Sequence, residues 1–380
     1  MISGGQRMRM KIDSRRLTDL FCELVAVDSP SYGERAMADL LTGKLEALGF
    51  TVMEDDSAQK LGGDAGNLIA TMPGRLDLPP LLLCAHMDTV APAFGKKAIV
   101  EPDGRIHSAG DTVLGADDLA AVAAIIEAVT VLKEQDIPHR PLELLISAAE
   151  ENYCRGADVL DKRLLRAKEA YVLDLDAPVG TAAVSAPTVL DFEIRCEGRS
   201  SHAGFAPEKG VSAILAAANA MTRLPGGRLS PDTTLNYGLI EGGRQTNIVP
   251  DVCTVRGEIR SSDDAFALAL LERVKQTFRE CCQRLGARAV CTDRCLVHAY
   301  ETPKDSPVVR RYEKVCGSLG FPVELVRTFG GSDNNCLALE GIRGIVIASA
   351  MHGCHTCDEY TTVQEMTDVA TVTAALLCEE

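Results

Sequence analysis

The chain predicts an α/β fold interrupted by a second, smaller α+β domain. Three observations carry this expectation. From Ser14 to Leu175, apolar runs of strand length alternate with segments of helical period. From Thr188 to Cys295 the order becomes β-α-β-β-α-β, and from Ser306 to Cys378 helix, strand and helix resume. The first pattern calls for a mixed sheet with helices on both faces, and the second for an inserted ferredoxin-like domain. A length of 380 residues exceeds what one core ordinarily organises, which also argues for two domains. The expected segments are 1–184, 185–297 and 298–380, the first and last forming one domain.

Helical spacing marks Ser14 to Val25 and Glu34 to Leu48; Ser31 or Gly33 suits the start of the second helix and Gly49 its end. Short strands follow at Phe50 to Met53, Asn67 to Thr71 and Leu81 to His86. A long helix from Asp117 to Leu132 is closed by Pro138 and Pro141, and strands from Leu142 to Ser147 and Ala170 to Leu175 come after it. In the insert, polar and apolar residues alternate from Thr188 to Cys196. A helix (Gly210 to Leu224), two strands (Thr233 to Ile240, Val252 to Ile259), a long helix (Asp264 to Leu285) and a strand (Ala287 to Cys295) complete it. The tail gives a helix from Ser306 to Leu319, a strand from Ile345 to Ser349 and a helix from Thr362 to Cys378.

Composition narrows the function. Hydrophobic residues make up 46% and charged residues 24%, as in a soluble globular protein with ample core. A net charge of −15 argues against nucleic acid as a partner, because phosphate binding needs a basic surface. Ala120 to Leu132 comes nearest to a membrane span but is short and interrupted by Glu127. The basic stretch Met1 to Arg16 has no apolar core, so no signal peptide is expected. Fourteen cysteines, mostly in apolar contexts, read as reduced thiols and place the protein in the cytoplasm. Cys354-His355-Thr356-Cys357 also suits a redox or zinc motif, but no second CxxC completes a structural zinc site.

The chemistry gathers at strand ends. The apolar run before Cys84-Ala85-His86-Met87-Asp88 ends in a histidine with a carboxylate two residues on, on the same side of an extended chain. Asp117-Asp118 precedes a helix, where acids serve as N-caps or as cation ligands. Glu150-Glu151 follows the strand Leu142 to Ser147, and Asp174 and Asp176 end another. The carboxyl edge of an α/β sheet is where ligands ordinarily bind. Paired acids there divide naturally into a metal ligand and a general base. After Ser349, His352 and His355 compete for a second histidine role. His202 lies in the insert, far along the chain from these residues, and His107, His139 and His298 read as surface or structural.

These motifs, in this order from about Phe21 to Met366, resemble the M20 metallopeptidases, most closely their peptidase T-like branch of tripeptide aminopeptidases. The similar segments are His86-Met87-Asp88-Thr89-Val90, Gly115-Ala116-Asp117-Asp118, Glu150-Glu151, Leu173-Asp174 and His355-Thr356 with Glu359. In the insert they are Ser201-His202-Ala203-Gly204, Thr246-Asn247-Ile248-Val249 and Glu258-Ile259-Arg260-Ser261; Gly330-Gly331-Ser332-Asp333 lies near the end. The resemblance implies a di-metal catalytic domain with an inserted lid that also dimerises. By this likeness His86 and Asp174 hold one divalent ion, Glu151 and His355 the other, and Asp117 bridges them. Asp88 orients His86, Glu150 is the general base toward a metal-activated water, and His202 serves the site of a partner copy in a homodimer. Asn247, Arg260, Gly330 and Gly331 contact substrate, and the peptide after the bridging aspartate is cis. Two nitrogens and three carboxylates suit zinc, with cobalt or manganese also compatible.

The implied activity is release of N-terminal residues from short peptides. The alternatives are an M20 deacylase or carboxypeptidase acting on N-acyl amino acids, with Arg244 or Arg260 clamping a carboxylate, and a non-catalytic peptide- or metal-binding relative. Two positions depart from the family pattern: Leu119-Ala120-Ala121 stands for Lys-Ala-Gly, and Ala149 for Asp.

Overall fold

The computed structural model describes residues 10–379, so most of the basic stretch from Met1 to Arg16 lies outside the described residues. The chain forms two compact units. One comprises the chain up to Ser185, Glu301–Thr328 and the chain from Ser332 onward; the other comprises Ala186–Tyr300 with Phe329–Gly331.

The first unit is built on a mixed sheet. Four neighbouring strands, in the order Leu142–Ser147, Leu81–His86, Glu169–Leu175 and Arg343–Ala348, run parallel. Their carboxyl ends therefore open on one edge. Leu68–Met72 and Thr51–Glu54 extend the sheet antiparallel on one side, and Thr181–Ala186 joins antiparallel to Arg343–Ala348 on the other. The two central strands Leu81–His86 and Leu142–Ser147 are buried along their whole length, as expected of parallel strands covered on both faces. The strand Thr181–Ala186 was not expected; its Ala- and Ser-rich sequence carries little strand signal. A small separate sheet pairs Ala98–Val100 with Arg105–Ser108 as a local hairpin and adds Tyr360–Thr362, which joins from the far end of the chain where no local pattern reveals it.

The helix Ala116–Glu134 is the centre of this unit's core. Nearly every residue to Leu132 is buried, so it lacks a polar face; it packs on the strand Leu81–His86 and the helices Ser14–Val25 and Val363–Cys378. Its one interior acid, Glu127, is satisfied by Arg16, with Nε at 2.7 Å and Nη2 at 2.9 Å, and by the N–H of Asp13. The departure Leu119-Ala120-Ala121 is fully buried here and contributes to packing. The helix Ser14–Val25 starts as expected because the Asp13 carboxylate accepts from the N–H groups of Arg15 and Arg16. The helix Arg35–Leu48 is capped by neither Ser31 nor Gly33. Glu34 stands at its N-cap with no bond to the helix, because its carboxylate accepts from Tyr32 and Ala149 instead.

The second unit is a sheet ordered Gly227–Ser230, Thr233–Gly242, Val252–Ser261, Thr188–Glu197 and Arg288–Val297, antiparallel throughout. The helices Ala213–Arg223 and Asp264–Leu285 pack on it around a core of Phe192, Ile194, Val255 and Phe278. Apart from the short first strand, this is the ferredoxin-like order expected from the sequence.

A buried amine braces the loops beneath the strand ends. Lys96 is 3% exposed, and its Nζ donates to Thr89 Oγ1 (3.1 Å) and to the carbonyls of Val27 (3.2 Å) and Ala93 (3.4 Å). Burial depresses its pKa to about 8, against the opposing charges of Asp28 and Glu359. The unfolded chain then binds more protons than the folded one between about pH 8 and 10.5, so this residue's contribution to stability should rise with pH across that window. In denaturant titrations, the stability of the wild type relative to Lys96→Met should be constant below about pH 8 and should increase by about 3 kcal/mol toward pH 10.5.

Candidate metal centre

Each strand end delivers one part of a single cluster. His86 closes its strand and is 1% exposed. Its Nε2 lies 3.1 Å from Asp117 Oδ1, and its Nδ1 lies 3.0 Å from the backbone carbonyl of Asp88. Asp117 reaches the other way as well, its Oδ2 standing 3.3 Å from His355 Nε2, which in turn is 2.9 Å from Glu151 Oε2. Asp174 is placed by a bulge. Leu173 pairs with Ile347 and Leu175 with Ala348, leaving Asp174 as the extra residue, a common way of re-aiming a side chain beside a site.

Among the described residues two donor groups share Asp117, His86–Asp117–Asp174 and Asp117–Glu151–His355, each with its ligand atoms within 4.8 Å of one another, and a third cluster, Glu150–Cys154–Asp333, lies wholly buried. The structure also separates the two competing histidines. His352 Nε2 is engaged by Glu365 at 2.9 Å and its ring stacks on Tyr360, whereas His355 faces Asp117 and Glu151. Cys354 and Cys357 belong to neither group.

The backbone that carries these ligands is unusual. Ala149, Tyr153, Cys154, Ala350 and His355 all take positive φ without being glycine, and the Asp117–Asp118 peptide is cis. Such residues persist only where surroundings over-determine them, and they concentrate at functional sites. Two buried carboxylates grip N–H groups of the loops that carry Asp117, Glu150 and Glu151. Asp88 accepts from Glu150 N (2.9 Å), Glu151 N (3.2 Å) and Ser31 Oγ (2.6 Å). Its Oδ1 lies 3.5 Å from His86 Nδ1, so its side chain serves the glutamate turn more closely than the imidazole. Glu359 accepts from Leu114 N and Gly115 N, both at 2.7 Å, and from Asp117 N at 2.9 Å. Gly115 has φ +81, and a Cβ there would meet Thr89 Cγ2 at 3.0 Å, so glycine is required on both counts.

Charge is crowded in this cluster. Burial, then the charge of Asp174, pushes Glu150 well above the ordinary carboxylate range; burial, then the charge of Asp117, does the same to Asp174, and burial raises Asp118. Burial favours a raised pKa for Asp117 too, but its bonds to His355 and His86 outweigh that and hold it low. The hydrogen bonds to Asp117 and Glu151 lift His355 to about 10. Glu151 Oε1 is buried with no hydrogen-bond partner among the described residues. A divalent cation answers each of these features: hard carboxylates, two imidazole nitrogens, an orphaned oxygen and an excess of buried acids. The donor set fits such ions.

Two family profiles match the chain: the peptidase dimerisation domain over residues 185–284 and peptidase family M28 over residues 67–218, a stretch that includes His86, Asp117, Glu150, Glu151 and Asp174. An uncharacterised protein of Bacillus subtilis, YqjE, is 37% identical over 97% of this chain and 99% of its own length. The aminopeptidase PepT of Bacillus cereus superposes with a TM-score of 0.92 at 38% identity, over 96% of this chain and 98% of that one. A tripeptidase of Staphylococcus aureus gives 0.94 at 34% identity, over 97% and 98%. The chain belongs to the peptidase T-like branch of the M20 metallopeptidases.

The remaining expected site residues of this M20 peptidase lie in its second unit. His202 is exposed, and its Nδ1 accepts from the N–H groups of Gly204 (3.1 Å) and Phe205 (3.2 Å), which puts the proton of the neutral ring on Nε2. The Asn247 carbonyl accepts from Ala203 N, and its side chain is exposed. Arg260 is bound through Nε and Nη2 to Glu258 at 2.9 and 3.1 Å and through Nη1 to the carbonyl of Phe329, while Arg244 is 75% exposed. Gly330 and Gly331 sit in an exposed loop.

Glu359 was recognised only as part of a motif, and its grip on the Asp117 loop was not foreseen. Its spacing four residues after His355 was the available signal. Replacing it with alanine strands three backbone donors, so Glu359→Ala should lose at least about 3 kcal/mol of stability in denaturant unfolding. It should also weaken metal binding about 10- to 100-fold in chelator competition, as loss of an outer support generally does. Because an ion must displace the protons that His86 and His355 attract, metal affinity of the wild type should climb steadily from about pH 6 up to about pH 10, where His355 gives up its proton. A flat profile would contradict the assignment of these imidazoles.

Proposed function

We propose that this peptidase is a di-metal aminopeptidase that releases N-terminal residues from tripeptides and other short peptides. The observation that carries the reading is the pair of three-residue donor groups sharing Asp117. His86 and Asp174 would hold one ion, Glu151 and His355 the other, and Asp117 both; zinc, cobalt or manganese suits these donors. When bound, the ions supply a Lewis acid for the scissile carbonyl and lower the pKa of the attacking water.

The chain's own residues do the rest. Glu150, set beside the ligands but outside both donor groups, accepts a proton from the attacking water and returns it to the leaving amine. Asp88 fixes the turn on which Glu150 and Glu151 stand. His202, with its proton on Nε2, donates to the oxyanion in the site of a second copy, so the active species is a homodimer formed through the second unit. Fourteen cysteines held as thiols suit a reducing cytoplasm.

The deciding assay compares free tripeptides, N-blocked tripeptides and N-acetyl amino acids on metal-reconstituted protein. Free tripeptides should be cleaved and blocked ones spared; the reverse preference would establish the deacylase or carboxypeptidase reading instead. Glu150→Ala should keep its metal and lose at least about 100-fold in kcat. Mixed dimers of His202→Ala and Glu150→Ala subunits should recover part of the activity that neither variant has alone, and a demonstrated heterodimer with no recovery would place His202 outside its partner's site.

A further inference from the structure

The carboxylate of Glu150 is held by surprisingly little. It is 8% exposed, yet among the described residues a single side chain donates to it, the Cys154 thiol, with Sγ 3.1 Å from Oε1. The backbone closes the same loop, Cys154 N donating to Glu150 O at 2.6 Å. Cys154 is itself fixed: it is 1% exposed, it takes φ +56, and its carbonyl faces the Cys336 thiol at 3.9 Å on the helix Asp333–Leu339. The nearby Asp333 accepts at Oδ2 from Ser147 Oγ and Cys84 Sγ. Contact with Cys336, then burial, keeps the Cys154 thiol protonated, so it acts as a donor and not as a nucleophile.

Resting on the assignment of Glu150 as the base, we propose that Cys154 is a positioning residue: its S–H fixes one carboxylate oxygen of Glu150 and leaves the other as the oxygen that exchanges the proton with water. A carboxylate on a two-carbon stem has several rotamers available, and a base displaced by about 1 Å forfeits up to about 100-fold in rate. A single weak donor would supply a fraction of that.

The test compares Cys154→Ala, which removes the donor, with Cys154→Ser, which keeps one in nearly the same place. Both are assayed as metal-loaded protein on a tripeptide. Alanine should lower kcat roughly tenfold with KM within about twofold and metal content unchanged, and serine should recover most of the loss. Cys154→Gly, which is at ease at positive φ, provides the non-donor if the alanine variant does not fold. Equal kcat for the serine and non-donor variants overturns the proposal, whether both match the wild type or both are equally impaired. Glu150→Gln is measured alongside. If it is inactive while Cys154→Ala is unimpaired, only the cysteine proposal fails; if it keeps full turnover, the base assignment has failed first.

Discussion

The first unit is organised by electrostatic crowding. Asp117, Asp118, Glu150, Glu151, Asp174 and Asp333 are gathered with His86 and His355 at the open edge of four parallel strands. Two unit charges about 4 Å apart cost on the order of 4 kcal/mol even when partly screened. No fold would collect these acids for stability. The arrangement makes sense only if positive charge is part of the finished structure, and the strand order, the bulge at Asp174 and the strained turns all serve to bring the acids together against their repulsion.

What prevents the cluster from relaxing is a layer of backbone hydrogen bonds. Glu359 takes three N–H groups from the loop that leads into Asp117, and Asp88 takes those of Glu150 and Glu151. Burying an acid is expensive unless it accepts several such bonds. These two are satisfied by rigid partners and act as anchors, whereas the acids facing inward keep free oxygens. Glu34 extends the layer: its carboxylate accepts from Ala149 N, and burial and the nearby Asp88 push its pKa up to about 7. The family's usual aspartate at 149 suits positive φ; here Ala149 adopts φ +50 and is held by Glu34 and the turn.

Much of this was legible in the sequence because the relevant signals are local. Helix spacing located Ser14–Val25 and Asp264–Leu285 to the residue, since each has an aspartate N-cap and the second also has a glycine just beyond its end. Acids and a histidine at the ends of apolar runs pointed to the sheet edge. The illegible parts are non-local or carried by backbone. The strand Thr181–Ala186 depends on partners more than a hundred residues away, and the small sheet at Tyr360–Thr362 is likewise long-range. The choice of His355 over His352 rested on family resemblance, and only the placement of Glu365 gives it a physical cause. The sequence likewise does not reveal that Arg260, read there as a substrate contact, pairs with Glu258 two residues earlier on the same strand face.

The role of Asp88 shows why the His-x-Asp spacing matters more than tautomer control alone would suggest. Its backbone carbonyl meets His86 Nδ1, while its two carboxylate oxygens meet the N–H groups of Glu150 and Glu151. One residue thus sets the positions of His86, Glu150 and Glu151 together. These three groups come from two strands that pair in parallel, with His86 opposite Ser147. A parallel register alone fixes strand ends only to within the freedom of the loops that follow. Asp88 removes that freedom across the seam, so the relative placement of His86, Glu150 and Glu151 becomes a property of one buried residue and not of two loops.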